Sequence, residues 1–228
     1  EENEIEADVL VLGAGISGCM AAIAAAKKGL KVVLVDKGCV KHSGAAGAGV
    51  DHWMDCPSNP ASKITPEEYL KPLDKYKGGY ANYIGSYITA KDSWEALLEL
   101  EEMGMQIRDV NDEFKGADFR DEETKLTFAY DYTFNHCVRI WGTQMKPSLY
   151  KRCKELGVNI VERTMATSLL TEDGKQGSRL VGATGVNVRT GEFSIFKAKS
   201  CILCMATPEH VWIFSTEHTG LVGRDGPP

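Results

Sequence analysis

Three glycines and an aspartate supply the first chemistry this sequence offers. Gly13, Gly15 and Gly18 stand in GxGxxG spacing directly after the apolar run Val9 to Leu12. Asp36 lies eighteen residues beyond Gly18, at the end of a second apolar run, Val32 to Val35. In that setting the first glycine permits a sharp turn from strand to helix, the second lets a pyrophosphate reach the backbone, and the third lets helix and sheet pack closely. The phosphates are received by free N–H groups at the positive end of the helix. A carboxylate at the tip of the second strand accepts hydrogen bonds from a ribose diol and disfavours a 2′-phosphate. The plain alternative is a β-α-β unit without a ligand, but such a unit has no use for Gly15.

The elements that must hold these residues are legible in the same stretch. The alanine-rich segment between Gly18 and Val32 is predicted as a helix, flanked by strands Val9 to Leu12 and Val32 to Val35. After Asp36, the run Ser43-Gly44-Ala45-Ala46-Gly47-Ala48-Gly49 leaves its backbone uncovered. That suits a loop pressed against a large flat ligand better than one in a core, with a flexible surface linker as the alternative. Asp51-His52-Trp53-Met54-Asp55-Cys56 is dense in polar and aromatic groups but matches no zinc spacing. It reads as a loop, either structural or near a ligand.

Composition narrows the classes of function. With 228 residues, 43% hydrophobic and 25% charged, the chain can bury a sizeable core. The net charge of −6, without a basic block, argues against nucleic acid as a partner. No apolar run reaches the length of a membrane span, and no leader precedes the first strand, so direct membrane insertion is not expected. Seven cysteines without framework spacing agree with a reducing compartment and a cytoplasmic location.

Further along, Thr65-Pro66-Glu67-Glu68 is a helix start with a capping box. Asn82 to Met103 is predicted as a helix that buries Ile84, Tyr87, Ile88, Trp94, Leu97 and Leu98 and stops at Gly104. The charged stretch Asp109 to Thr127 reads as an exposed loop. From Thr143 a helix carries Met145, Leu149, Cys153 and Leu156 on one side and closes at Gly157, before a strand Val158 to Val161 returns to the parallel sheet. Thr167 to Leu170, Leu180 to Asn187 and Glu192 to Lys197 form an antiparallel meander, with turns at Asp173-Gly174 and Thr190-Gly191. A separate final strand runs from Cys201 to Thr207. Cys201 and Cys204 have CxxC spacing, but residues three apart in a strand point to opposite faces.

Several of these stretches together resemble one family. His42-Ser43-Gly44-Ala45-Ala46-Gly47-Ala48-Gly49 is similar to the His-Thr-x-Ala-Ala-Gln-Gly-Gly run of succinate dehydrogenase and fumarate reductase flavoprotein subunits. Its Ser-Gly-Ala part is similar to the Arg-Ser-Gly-Ala of the adenylylsulfate reductase α subunit. Glu99-Leu100-Glu101-Glu102-Met103-Gly104-Met105 also resembles the first group. So do Gly142 with Ser148-Leu149-Tyr150, and the closing run through Ala206 and Thr207. Pro208-Glu209 departs from the family's Gly-Gly, which alters the last cofactor contact. The region from Ser215 to Gly220 resembles the approach to the family's Thr-Gly-Asp-Gly segment.

The resemblance implies an α/β, Rossmann-like FAD-binding domain with a parallel sheet, a β-meander and a helical insertion. The implied division is residues 1–64 and 135–228 for the FAD-binding domain and 65–134 for the insertion. FAD contacts are implied at Gly13, Ala14, Gly15, Ser17, Gly18, Asp36, Lys37 and Gly38. Others are implied at His42, Ser43, Gly44, Ala45, Ala46 and Gly47 under the flavin, with Ala166 at the adenine and Ala206 and Thr207 at the phosphates and ribose. His42 matches a histidine that is covalently flavinylated in the first group, whereas its Ser-Gly-Ala context matches the non-covalent branch; a simple loop histidine is the third reading. Catalytic residues are not identified, and no metal site is expected.

The implied activity is redox chemistry at the flavin N5 with a dicarboxylate or an adenylylsulfate-like substrate, and electron exchange with an iron–sulfur partner, which could hold the protein at the inner face of the membrane. Family members continue through a capping domain with substrate-binding histidines and arginines, so the chain is expected to be a fragment of such an enzyme. The competing readings are a truncated nucleotide- or partner-binding module without catalysis, and an NAD-dependent dehydrogenase.

Overall fold

The computed structural model describes residues 3–72 and 82–206. In chain order its elements are β1 (Asn3–Leu12), α1 (Ile16–Lys27), β2 (Val32–Val35), β3 (His52–Trp53), α2 (Pro66–Leu70), α3 (Tyr83–Glu102), β4 (Thr127–Phe128), β5 (Val138–Arg139), α4 (Met145–Glu155), β6 (Asn159–Val161), β7 (Thr164–Thr171), β8 (Leu180–Asn187) and β9 (Phe193–Leu203). The chain divides into two compact units. One comprises the residues up to Ala48 together with those from Leu149 onward, and the other is Gly49–Ser148. Among the described residues no helix is long and apolar enough to cross a membrane.

The first unit is built on a six-stranded sheet of order β6-β2-β1-β9-β8-β7. β1 runs parallel to both β2 and β9, and β2 parallel to β6, while β7, β8 and β9 pair antiparallel. The class is therefore mixed α/β with a parallel sheet and a meander, as the sequence leads one to expect. β1 is central because every residue from Val9 to Leu12 is buried, as continuous apolar strands covered on both faces require. Leu10, Leu12, Val33 and Val35 share a core with Ala183 of β8 and Phe196 of β9, with Ala166 packed against it. The meander thus folds back over this face, and Val9, Val11, Val32 and Leu34, of opposite phase along the strands, are equally buried.

Two strand expectations are corrected. The first strand begins at Asn3 rather than Val9, because its polar first residues pair with the start of β9. The third meander strand and the separate final strand are one element, β9, which pairs with β8 along Phe193 to Lys197 and with β1 from Ser194 to Leu203. Its pairing with β1 keeps the polar segment Lys197 to Ser200 extended, although its composition reads as a break. Cys204 lies past the end of β9, so the opposite-face argument for Cys201 and Cys204 does not apply to it. The predicted contacts at Thr207, Pro208-Glu209 and Ser215 to Gly220 lie outside the described residues.

In the second unit, Thr65 caps α2 as its sequence predicts: its Oγ1 accepts from the Glu68 N–H at 3.2 Å, and Glu68 Oε2 accepts from the Thr65 N–H at 2.9 Å. Asn82 caps α3, accepting from the Gly85 N–H at 3.0 Å. The buried stripe of α3 is Ala90, Ser93, Leu97 and Leu100, whereas Ile84 and Ile88 are exposed. The predicted face is therefore right at Leu97 and misplaced in the first two turns. Trp94 is half-buried, with the Arg108 guanidinium 5.3 Å from its ring centre.

The stretch Asp109 to Thr127 is irregular but not simply exposed. Its Arg120 side chain is buried and paired with Asp109 at 2.8 Å, with Asp112 and Glu122 on its other nitrogens. A charged segment can be buried when its charges satisfy one another, which composition does not reveal. A three-stranded sheet of order β3-β5-β4 completes this unit. The Asp51 to Cys56 stretch belongs to it, with Trp53 Nε1 donating to Ser93 Oγ at 2.7 Å and Tyr69 donating to Asp55.

Candidate functional site

The parallel strands β6, β2, β1 and β9 all end on one side of the first unit, and the chain order reverses between β2 and β9 around β1. In open α/β sheets this switch point is where ligands bind. The turn from β1 into α1 lies there. Gly13 has φ +91, and a Cβ built on it would stand 2.6 Å from the Cys204 carbonyl oxygen, so the end of β9 passes directly over it. Gly18 lies so close to Gly13 that a Cβ would stand 1.8 Å from its carbonyl oxygen. Gly15 is the opposite case: a Cβ would meet nothing within 4 Å.

That open space lies at a helix entrance suited to an anion. Gly15 is the N-cap of α1, no side chain caps the helix, and its first turn carries no acidic residue. The first-turn N–H groups and the positive end of the helix therefore meet no acidic side chain from the helix's own first turn. Ser17 is exposed on this first turn, and Ala14 is fully buried behind it.

Asp36 follows β2, and its carboxylate is engaged by the protein's own backbone. Its Oδ2 accepts from the Ala14 N–H at 2.7 Å, and its Oδ1 accepts from the Gly38 N–H at 2.7 Å. One carboxylate thus braces the turn after β1 against the stretch after β2. A carboxylate has about four acceptor sites, so roughly two remain for a diol. Lys37 is exposed and Gly38 half-buried beside it.

The small-residue loop sits on the same turn. Ser43 Oγ donates to the Ala14 carbonyl at 3.3 Å, and a Cβ on Gly44, whose φ is +83, would stand 2.9 Å from Gly15 Cα. Any side chain at Gly44 would push this loop away from the helix entrance. Ala46 is buried beneath the loop, Gly47 is half-buried, and His42 and Ala45 are exposed. The structure therefore brings Gly13, Ala14, Gly15, Gly18, Asp36, Gly38, Ser43 and Gly44 into one constellation. The start of β7 reaches the same place, the Thr164 N–H donating to the Asp36 carbonyl at 2.9 Å, whereas Ala166, two residues on, packs against the core of the sheet. Ala206 is exposed three residues beyond β9, and Thr207 lies outside the described residues.

Sequence reasoning missed Glu162, whose Oε1 accepts from the Val40 N–H at 2.7 Å. The one signal for it in the sequence is its place immediately after a parallel strand, on the side where such sheets bind ligands. The nearby thiols are held neutral. Burial pushes Cys201 up to about 11 and raises Cys204, to which Cys19 adds. Neither is a nucleophile at neutral pH. What the site offers is an uncapped helix entrance for an anionic bridge, a carboxylate, and a loop of small residues beside them, a set that fits the diphosphate, ribose and ring of FAD.

A family model described as FAD binding domain matches residues 8–223. One subunit of the CoM/CoB fumarate reductase of Methanothermobacter marburgensis is 28% identical over 233 residues, covering 99% of this chain and 39% of that protein. The structure of adenylylsulfate reductase from Archaeoglobus fulgidus superposes with a TM-score of 0.73 at 27% identity, covering 90% of this chain and 31% of that one. The Mycobacterium smegmatis Sdh1 complex shares the fold, with a TM-score of 0.70 at 20% identity over 91% of this chain and 35% of that one. The chain spans 39% or less of the length of each of these relatives.

Proposed function

Because this chain belongs to the FAD binding domain family, with FAD as its cofactor, we propose that it is the FAD-carrying part of an oxidoreductase resembling fumarate reductase, succinate dehydrogenase and adenylylsulfate reductase flavoprotein subunits. One observation carries the reading: the open helix entrance at Gly15 and the loop Ser43 to Gly47 lie against each other, so a single ligand with a diphosphate and a flat ring spans both. An NAD-dependent dehydrogenase has no use for the second of these. When bound, FAD supplies the electron-pair chemistry at N5 of its flavin.

The chain's own residues bind and orient. The first-turn N–H groups of α1 take the diphosphate, Asp36 the ribose, Ala206 and Thr207 the phosphates and ribose from the other side, and Ala166 the adenine. Lys37 and Gly38 frame the ribose edge, and His42 to Gly47 form the floor under the ring. His42 acts here as a non-covalent neighbour, because its Ser43-Gly44-Ala45 context is that of the non-covalent branch. The substrate is a dicarboxylate or an adenylylsulfate-like compound, and electrons pass to or from an iron–sulfur subunit in the cytoplasm. The likeness to one fumarate reductase and to adenylylsulfate reductase, at 28% and 27% identity, supports both substrate classes.

The test uses the purified full-length protein. Flavin absorption bands, flavin released on acid precipitation, and turnover with fumarate, succinate or adenylylsulfate are the expected results. A colourless protein that takes up no added FAD refutes the reading. A coloured protein inert toward all three substrates leaves a flavin carrier without this catalysis.

A further inference from the structure

We propose that Glu162 is a positioning residue for the flavin-side loop, holding it in register with the phosphate turn from the far end of β6; this rests on the assignment of His42 to Gly47 to the flavin. The last residue of β6 and those just after it reach across to the stretch after β2. The Asp36 N–H donates to the Val161 carbonyl at 3.0 Å, the Thr164 N–H to the Asp36 carbonyl at 2.9 Å, and the Arg163 N–H to the Gly38 carbonyl at 3.0 Å. Those bonds join backbone to backbone, so any residue types could make them.

The next bond depends on a side chain. Val40 opens a short 3-10 turn, Val40–His42, and the N–H groups at such a start have no partner within the turn. Cys39, at the capping position, provides no side-chain bond. Glu162, 122 residues away in sequence, provides it at 2.7 Å. Val40 is fully buried, so its N–H has no water to turn to.

This turn runs directly into the residues that touch the helix entrance, with Ser43 at its end. Ser43 bonds the Ala14 carbonyl, and Gly44 lies against Gly15. A change in the pitch of Val40–His42 therefore moves the loop relative to the helix entrance. Arg163, beside Glu162, has φ +58 and passes its own carbonyl to the Val188 N–H at 2.7 Å. This left-handed backbone, which L residues adopt at a cost, lets the link between β6 and β7 reach both the loop and the meander.

ADP and FAD separate the two halves of the site, since ADP meets only the phosphate turn and ribose side while FAD also needs the loop. In the full-length apoprotein, Glu162→Ala is expected to weaken FAD by roughly tenfold to a hundredfold, the loss of one charge-assisted hydrogen bond. ADP affinity should stay within about twofold of wild type, an expectation from the same bond lying outside its footprint. Glu162→Gln keeps the accepting oxygen and should recover FAD affinity to within about threefold. Glu162→Asp keeps the charge but draws the oxygen back, and should bind FAD more weakly than the Gln variant. That comparison also decides the matter if the Ala variant is not recovered folded.

Unchanged FAD affinity in Glu162→Ala, or Asp equal to Gln, overturns the proposal. Equal weakening of ADP and FAD overturns it too, because the residue would then support the whole fold. Wild-type protein that binds ADP but not FAD overturns the flavin-loop assignment itself, an outcome visible before any variant is made.

Discussion

Two glycines three residues apart should respond in opposite ways to the same added methyl. Gly15 has φ −63, which alanine adopts freely, and its built Cβ meets nothing within 4 Å. Restricting the unfolded chain should stabilise Gly15→Ala by about 0.4–1 kcal/mol. Replacing glycine by alanine at an N-cap costs a similar amount, roughly 0.5–1 kcal/mol. The two nearly cancel, so apoprotein stability should shift by less than about 1 kcal/mol. The methyl nevertheless fills the approach to the first-turn N–H groups. Losing one charge-assisted bond there should weaken FAD by roughly ten- to a hundredfold.

Gly18→Ala places its Cβ 1.8 Å from the Gly13 carbonyl oxygen and 3.3 Å from Cys204 Cβ. The first obstacle is backbone, so the start of α1 must move away by roughly 1 Å, at a cost of about 1–3 kcal/mol in a packed core. Thermal denaturation of both apoproteins, with fluorescence titration of FAD, reads the two effects separately. A Gly15→Ala apoprotein destabilised as much as Gly18→Ala, or one that keeps wild-type FAD affinity, refutes the reasoning.

Asp36→Asn offers one accepting oxygen where two are used, so an amide NH₂ faces either the Ala14 or the Gly38 N–H; calorimetry of the apoprotein should show a loss of about 1–3 kcal/mol, with weaker FAD binding in titration. Arg120→Met leaves Asp109 buried opposite an apolar side chain, and a thermal melt should show a lower midpoint for the second unit with FAD affinity little changed. The wild-type pairing around Arg120 should also be lost in acid. Burial pushes Asp109 up, but the N–H groups of Phe114 and Glu113 and the Arg120 guanidinium outweigh it and hold the carboxyl below its ordinary 3.8. Lys125 lowers Asp112, and the Gly116 N–H with Arg120 lowers Glu122. Carboxyls depressed in the folded state stabilise it above their unfolded values, and that stability is lost as pH falls through the folded ones. Denaturant titrations between neutral pH and about pH 3 should show the decline in wild type and a shallower one in Arg120→Met.

Much of the site was legible because its signals are local. Gly13, Gly15 and Gly18 encode a turn within six residues, and the Thr65 capping box closes within four. Leu149 and Cys153 declare the buried side of α4 by their spacing, and both are fully buried. Ile84 and Ile88 misled because period alone does not say where a neighbouring element ends. Arg120 misled because composition does not show that Asp109, Asp112 and Glu122 of its own stretch fold around it.

The sequence by itself determined the strand–turn–helix with its uncapped entrance and the small-residue loop after it, since both depend on backbone freedom and on the absence of side chains. Only the tertiary structure decided that β9 runs unbroken beside β1, that Asp36 ties two loops together, and that Glu162 completes a turn 122 residues away. Hydrogen bonds between distant segments have no period or spacing to read. They exist only once the sheet has brought the ends of its strands to one edge.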